Sequence, residues 1–184
     1  MKKNKAHNAS SYIFQEGEPI LIDANVWLFL HPPAGDAGSI WTKDYSAVYK
    51  SLIKAKARPM TDAMVLSEYL NRYFRVEWEA GWKEQYKDFK SFRKSQYFKG
   101  LAEDAIAEAR QIVKLAELQD IPLRSFDFDA ILSGTENGTL DFNDAVIVET
   151  CRHHGWKLLT NDEDCSIGGI EVLTVLPALI RACK

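Results

Sequence analysis

The sequence predicts a three-layer α/β/α sandwich with a mostly parallel central sheet, and two observations carry that prediction. A short apolar run enriched in β-branched residues at 20–22 has the pattern of a strand buried on both faces, and further strand-like runs follow at 156–160 and 170–175. Between them, apolar residues repeat at helical spacing, and strands alternating with helices imply crossovers that cover both faces of a parallel sheet. With 184 residues and 46% apolar composition, the chain can bury one proper core, and a single domain over 19–184 is expected.

Taken in order, residues 1–11 are polar and lack the apolar stretch of a signal peptide, so residues 1–18 are expected to be a flexible arm. Ile20 to Ile22, flanked by Pro19 and Asp23, reads as a buried strand, and a helix starts over 24–30 before His31-Pro32-Pro33 and the glycines of 35–38 break it. A helix is expected over 44–57, ended by Pro59. Thr61 then offers an N-cap to a helix carrying Met64, Val65, Leu66, Tyr69, Leu70, Tyr73 and Phe74 near a 3.6 period. Residues 101–119 read as a helix, 122–126 as a short strand, and 128–132 as part of a helix before the turn residues Gly134, Asn137 and Gly138. A helix over 141–154 stops at Gly155, strands follow at 156–160 and 170–175, and 176–183 closes the chain as a helix.

The formal charge of −3 leaves no overall positive field to hold nucleic acid, so such binding has to come from a local patch or a metal. Three cysteines, Cys151, Cys165 and Cys183, at irregular spacing suit a reducing compartment, and a cytoplasmic location is expected. No apolar run approaches the roughly 20 residues that span a bilayer. Cys151, His154 and Cys165 lack a convincing fourth zinc ligand, and the glycines form neither a P-loop nor a dinucleotide fingerprint.

Four acidic residues carry the chemistry. Asp23 closes Ile20-Leu21-Ile22, Glu68 lies in Ser67-Glu68-Tyr69-Leu70-Asn71-Arg72, Asp144 lies in Asp141-Phe142-Asn143-Asp144, and Asp162 follows Leu158-Leu159-Thr160-Asn161. Asp23 and Asp162 both follow strand-like runs, whose carboxyl ends converge on one crevice in open α/β sheets. Oxygen ligands select hard cations, and a bound Mg²⁺ or Mn²⁺ can both activate water and stabilise charge on a phosphoryl group. Brought together without a cation, such groups repel: two unit charges about 4 Å apart cost on the order of 4 kcal/mol at an effective dielectric near 20. Asp141 doubles as an N-cap candidate, and Asp164 as part of a solvated turn.

In this order and spacing the four motifs resemble the PIN domain, the ribonuclease fold of VapC-type toxins, over roughly residues 20–175. The resemblance implies a metal-dependent endoribonuclease acting on single-stranded RNA, with Asp23, Glu68, Asp144 and Asp162 as catalytic and metal-holding positions and Asp164 and Asn25 as accessories. It also implies the toxin half of a toxin–antitoxin pair, with an antitoxin protein and a homodimer as possible partners. The loop after Leu30 and the stretch over 76–100 are larger than that pattern, and Cys165 stands where an aromatic residue is usual. A non-catalytic PIN-fold RNA-binding or assembly module and a nuclease of DNA are the alternatives.

The enlarged stretch has a character of its own. Between Arg72 and Lys99 stand eight basic and four acidic residues, interleaved with Trp78, Trp82, Tyr86, Phe89, Phe92, Tyr97 and Phe98. Aromatic faces stack unpaired bases and cations follow the backbone. The expectation is therefore a helical projection beside the crevice, with Asn25, Ser67, Arg72, Lys87, Lys90 and Lys94 contacting RNA and the aromatic face packed on the body or on a second subunit.

Overall fold

The computed structural model describes residues 2–36, 39–138 and 140–184. Six parallel strands form one sheet in the order β1-β6-β5-β2-β3-β4: β1 (Lys5–Asn8), β2 (Pro19–Ile22), β3 (Arg58–Asp62), β4 (Glu117–Gln119), β5 (Lys157–Leu159) and β6 (Glu171–Thr174). Helices α1 (Ala24–Leu30), α2 (Trp41–Lys54), α3 (Ala63–Gly81), α4 (Phe89–Arg93), α5 (Phe98–Leu115), α6 (Phe128–Glu136), α7 (Phe142–His154) and α8 (Pro177–Ala182) complete the three-layer sandwich.

The centre of the sheet is apolar for a physical reason. Ile20 and Leu21 of β2 pair with neighbours on both sides, Ile22 pairs with β5, and all three are fully buried, as are Leu158 and Leu159 of β5. Both faces of the sheet are covered at these residues, so all five are apolar and no alternation is seen. Trp27, Tyr45 and Tyr69 are the largest side chains buried with them. Gly155 ends α7 in the left-handed conformation (φ 67°), which a residue without Cβ adopts freely.

Four expectations about elements are corrected. Residues 1–18 are not a flexible arm: Lys5–Asn8 pairs with Glu171–Thr174 as β1, and Asn4, Ala9 and Phe14 are buried. Pro59 does not end a unit but lies inside β3. Arg58 donates its N–H towards β2, to Glu18 O at 2.7 Å, so the donor missing at Pro59 faces the other side, where β4 pairs only from Met60 onward. The N-cap of α3 is Asp62, whose carboxylate accepts from Val65 N–H at 2.9 Å, while Thr61 belongs to the strand. The short strand near the end of α5 is Glu117–Gln119, whereas 122–126 contains only a 3-10 turn, Leu123–Ser125. The break read over 35–38 lies partly outside the described residues.

The aromatic stretch folds as the last turns of α3, the short α4 and the first turn of α5. Its rings pack mainly on each other: Trp82 stacks on Phe92 (5.5 Å between centroids) and on Tyr97 (4.7 Å), and Phe98 meets Phe74 at 5.0 Å. Phe92 and Trp78 are buried yet stand apart from the main core, so this is a satellite cluster.

Candidate active site

From β2 the chain proceeds outward to β3 and β4, then returns to the opposite side of β2 with β5 and β6. The direction of winding therefore reverses between β2 and β5, and in open α/β sheets the crevice at such a reversal, outside the carboxyl ends of the strands, is where ligand sites form. Asp23 leaves β2 at this point, and Thr160, Asn161 and Asp162 leave β5 beside it.

Asp23 is 6% exposed and is held from behind. Its Oδ2 accepts from Thr160 Oγ1 at 2.5 Å and from Asn25 Nδ2 at 2.7 Å. The same Thr160 hydroxyl accepts from the backbone N–H of Asp162 at 3.1 Å, and Asn25 Oδ1 accepts from Asn161 N–H at 3.0 Å. Two short side chains thus lock the start of α1 to the loop after β5. Beneath them the Tyr45 hydroxyl donates to the Thr160 carbonyl at 2.9 Å. Asp162 Oδ1 accepts from Asp164 N–H at 2.9 Å, the bond of an Asx turn.

Two helices bring the remaining acids. The N-cap Asp141 accepts from Asp144 N–H at 2.9 Å, which fixes Asp144 in the first turn of α7, where the helix end favours negative charge. Glu68, in the second turn of α3, lies 3.4 Å from Arg72 one turn later. Ser67, Glu68, Asn71, Arg72, Asp141, Asn143, Asp144, Asp162 and Asp164 line one open pocket of about 410 Å³. Arg72 is the one cationic side chain among these lining residues.

The electrostatic consequence is large. Burial, together with the charges of Asp141, Asp23, Asp162 and Glu68, pushes Asp144 up to about 7. Burial, with Glu68 and Asp162 nearby, pushes Asp23 up to about 6 against the bond from Thr160. Glu68 is raised by burial, partly offset by Arg72, with Asp141 and Asp162 adding to the rise. Cys165, buried beneath, has its thiol raised by burial and by the Asp23, Asp144 and Asp162 charges.

This donor set, all hard oxygen and short of positive charge, fits a divalent cation that keeps much of its water. Among the described residues, no group of three or more His, Cys, Asp or Glu side chains forms a ready-made metal cage. Mg²⁺ typically takes only one or two carboxylates directly, so an open, water-filled acidic pocket is compatible with it.

Of the residues singled out from sequence, Glu68, Asp144, Asp162, Asp164, Ser67 and Arg72 share the pocket, and Asp23 couples electrically to its acids from the floor. Asn25 is engaged with Asp23, Thr160 and Asn161. Lys87, Lys90 and Lys94 are exposed on and around α4, and none of them lines the pocket. Sequence reasoning missed Thr160, Tyr45, Asn71 and Asn143. A polar residue at the end of a buried strand was the available signal for Thr160, and a position one turn from Ser67 was the signal for Asn71.

Comparison with known proteins follows the same residues. The family pattern described as PIN domain matches 20–167 of this chain. No curated protein sequence matches the chain. Among solved structures, the chain is similar to PAE2754 from Pyrobaculum aerophilum, with 16% identity over 90% of this chain and 97% of that one and a TM-score of 0.49. It is also similar to a chain in VapBC2 from Rickettsia felis bound to a DNA fragment from their promoter, with 14% identity over 84% and 98% and a TM-score of 0.53. At that identity the second likeness speaks for the fold.

Proposed function

Because the chain belongs to the PIN domain family, we propose that its carboxylate pocket is the active site of a nuclease, and specifically of a Mg²⁺- or Mn²⁺-dependent endoribonuclease that hydrolyses single-stranded RNA. The observation that carries this reading is the pocket itself: Glu68, Asp144 and Asp162 line it from three different elements at the switch point of the sheet, with the buried Asp23 coupled to them and Arg72 as the single lining cation. Strongly perturbed acids in a crevice are a signature of function more than of packing.

Asp23, Glu68, Asp144 and Asp162 would hold the ion, with Asp164 at the rim. When bound, such an ion supplies an activated water and stabilises charge on the phosphoryl group. The protein's own part is positional. Thr160 and Asn25 fix the Asp23 carboxylate, and Asp141 fixes the turn that carries Asp144. With burial and the neighbouring acids pushing Asp144 up to about 7, loading the cation would compete with a proton there. Arg72 and Ser67 stand where a scissile phosphate would enter. Lys87, Lys90 and Lys94 extend the contact along the RNA backbone.

As a biological role we infer the toxin of a toxin–antitoxin pair, acting in the cytoplasm with an antitoxin protein and a second copy of the chain as partners. The motif resemblance supports this reading, and so does the fold-level likeness to VapBC2. The test is cleavage of a broad single-stranded RNA pool, with DNA of the same sequences in parallel. Cleavage of RNA with Mn²⁺ or Mg²⁺ that stops in chelator is expected, and cleavage unaffected by chelator would count against the site.

A further inference from the structure

The loop that carries Asp162 and Asp164 runs from Thr160 to Ile170 between β5 and β6. Its outgoing half is tied down at the pocket by Thr160. Its return half carries no strand of its own and is held from the N-terminal segment. Asn4 is 2% exposed, and its amide donates to Cys165 O at 3.0 Å and to Ile167 O at 2.9 Å. Asn4 Oδ1 accepts from Ile170 N–H at 2.9 Å, and its backbone N–H donates to Ser166 O at 2.9 Å. Lys3 bridges Ile167 in antiparallel fashion, and Gly168 N–H donates to Lys2 O at 2.8 Å. One buried side chain therefore grips the loop at three of its backbone groups, and a buried carbonyl or N–H left without it would lack a partner.

The clamp also seats the loop against the helix that bears Asp144. Gly168 has φ 136°, and a Cβ there would lie 2.4 Å from Val148 and 3.2 Å from Asn4 Oδ1. Val148 stands one turn after Asp144 on α7. Cys165, whose carbonyl Asn4 holds, is buried beneath Asp23, Asp144 and Asp162.

We propose that Asn4 is a positioning residue for the Asp162–Asp164 loop, setting from outside the pocket the geometry with which Asp162 meets Asp144 and Asp23 around a divalent cation. This rests on the metal-site reading given above. Residues that orient metal ligands through hydrogen bonds typically govern metal affinity by ten- to a hundredfold.

The experiment is calorimetric titration with Mn²⁺ alone, alongside RNA cleavage as a function of Mn²⁺, for wild type, Asn4→Ala and Phe92→Leu. The last variant loosens the satellite aromatic cluster far from the loop and controls for general destabilisation. Asn4→Ala is expected to bind Mn²⁺ about tenfold more weakly and to need correspondingly more Mn²⁺ for half-maximal cleavage, with the rate at saturating Mn²⁺ nearly retained. Phe92→Leu is expected to lower the melting temperature and leave the calorimetric Mn²⁺ affinity in place. Should Asn4→Ala fail to fold, Asn4→Ser keeps one donor and one acceptor, and its affinity is expected between the two. Unchanged Mn²⁺ affinity in a folded Asn4 variant, or an equal loss in Phe92→Leu, overturns the inference alone. A wild-type protein without Mn²⁺ affinity overturns the reading of the pocket and the inference with it.

Discussion

Acids gather at both ends of the strands of this sheet, with opposite outcomes. At the amino end, Glu18 precedes β2 and Glu171 opens β6, and Lys157 at the start of β5 sits between them at 2.9 and 3.4 Å. Tyr12 adds a bond to Glu18 at 2.6 Å. Against the opposing pull of burial, these partners hold both glutamates below the ordinary carboxylate range. At the carboxyl end, Asp23 and Asp144 gather with other acids and are pushed up. The difference is the balance of charge: at one end Lys157 sits between two glutamates, while at the other a single arginine, Arg72, faces several acids. Acid by itself is therefore uninformative in this molecule, and uncompensated acid marks the site.

The strongest way to break this comparison is to neutralise one acid at each edge. Asp23→Asn and Asp144→Asn are each expected to lower metal-dependent RNA cleavage by at least about a hundredfold, since removing a ligand should cost more than removing its support. Metal-free Asp144→Asn should nevertheless melt higher than wild type by roughly 2–4 °C, because relieving repulsion worth about 1 kcal/mol shifts a domain of this size by that much. Wild-type cleavage in either variant would mean that the pocket is misassigned.

At the amino edge the signs invert. Lys157→Met removes the cation between Glu18 and Glu171, leaving Glu18 with the Tyr12 bond and Glu171 with Lys5 and His7, a loss on the order of 2 kcal/mol that lowers the melting temperature by roughly 4–8 °C. Mn²⁺ affinity should stay unchanged, and a change in it would erase the distinction between the edges.

Reading the protein from sequence succeeded where one residue carried a local conflict. Asp23 stood out because a lone carboxylate closing Ile20-Leu21-Ile22 needs a partner, and the fold buries it against Thr160 and Asn25. The Asp141 cap and the Gly155 stop were legible because capping is a matter of a few consecutive residues. Strand β1 was not, because Lys5-Ala6-His7-Asn8 is polar and is defined only by pairing with Glu171–Thr174 at the far end of the chain. β4 was hidden because Ala116-Glu117-Leu118-Gln119 continues the composition of α5 without a breaker, and β3 because its proline matters only relative to which neighbour is paired. Asn4 and Thr160 act through tertiary hydrogen bonds, which leave no period or spacing to read.

Substituting Lys87, Lys90 and Lys94 together with Gln tests whether the basic surface outside the pocket takes part. If each meets a phosphate, the slope of log affinity against log salt should flatten by about 2, since a single-strand contact contributes roughly 0.7. An unchanged slope would leave this face as solvated surface and the aromatic cluster as packing.

The smallest effect is one of pH. Between the ordinary aspartate range and about 7, the native metal-free pocket binds more protons than the unfolded chain, because Asp23 and Asp144 are raised to about 6 and about 7. Stability from this edge therefore falls as pH rises across that window. Glu18 and Glu171 are lowered, so their contribution is present above the ordinary glutamate range and is lost as pH falls through it. Melting curves from pH 5 to 8 should show a decline in chelator that saturating Mn²⁺ removes, and a decline of the same size with Mn²⁺ present would place its origin elsewhere.

The pairing of β1 with β6 also fixes an order of events during synthesis. The strand nearest the start of the chain can be seated only after Glu171–Thr174 has emerged, and the Cys165, Ile167 and Ile170 groups that Asn4 grips emerge just before it. Contacts at such sequence separation form late, because the long loop must be closed before they repay it. A nascent chain thus carries Asp23, Glu68 and Asp144 while the loop bearing Asp162 is still unclamped. The clamp on that loop therefore closes only after nearly the whole chain has been made.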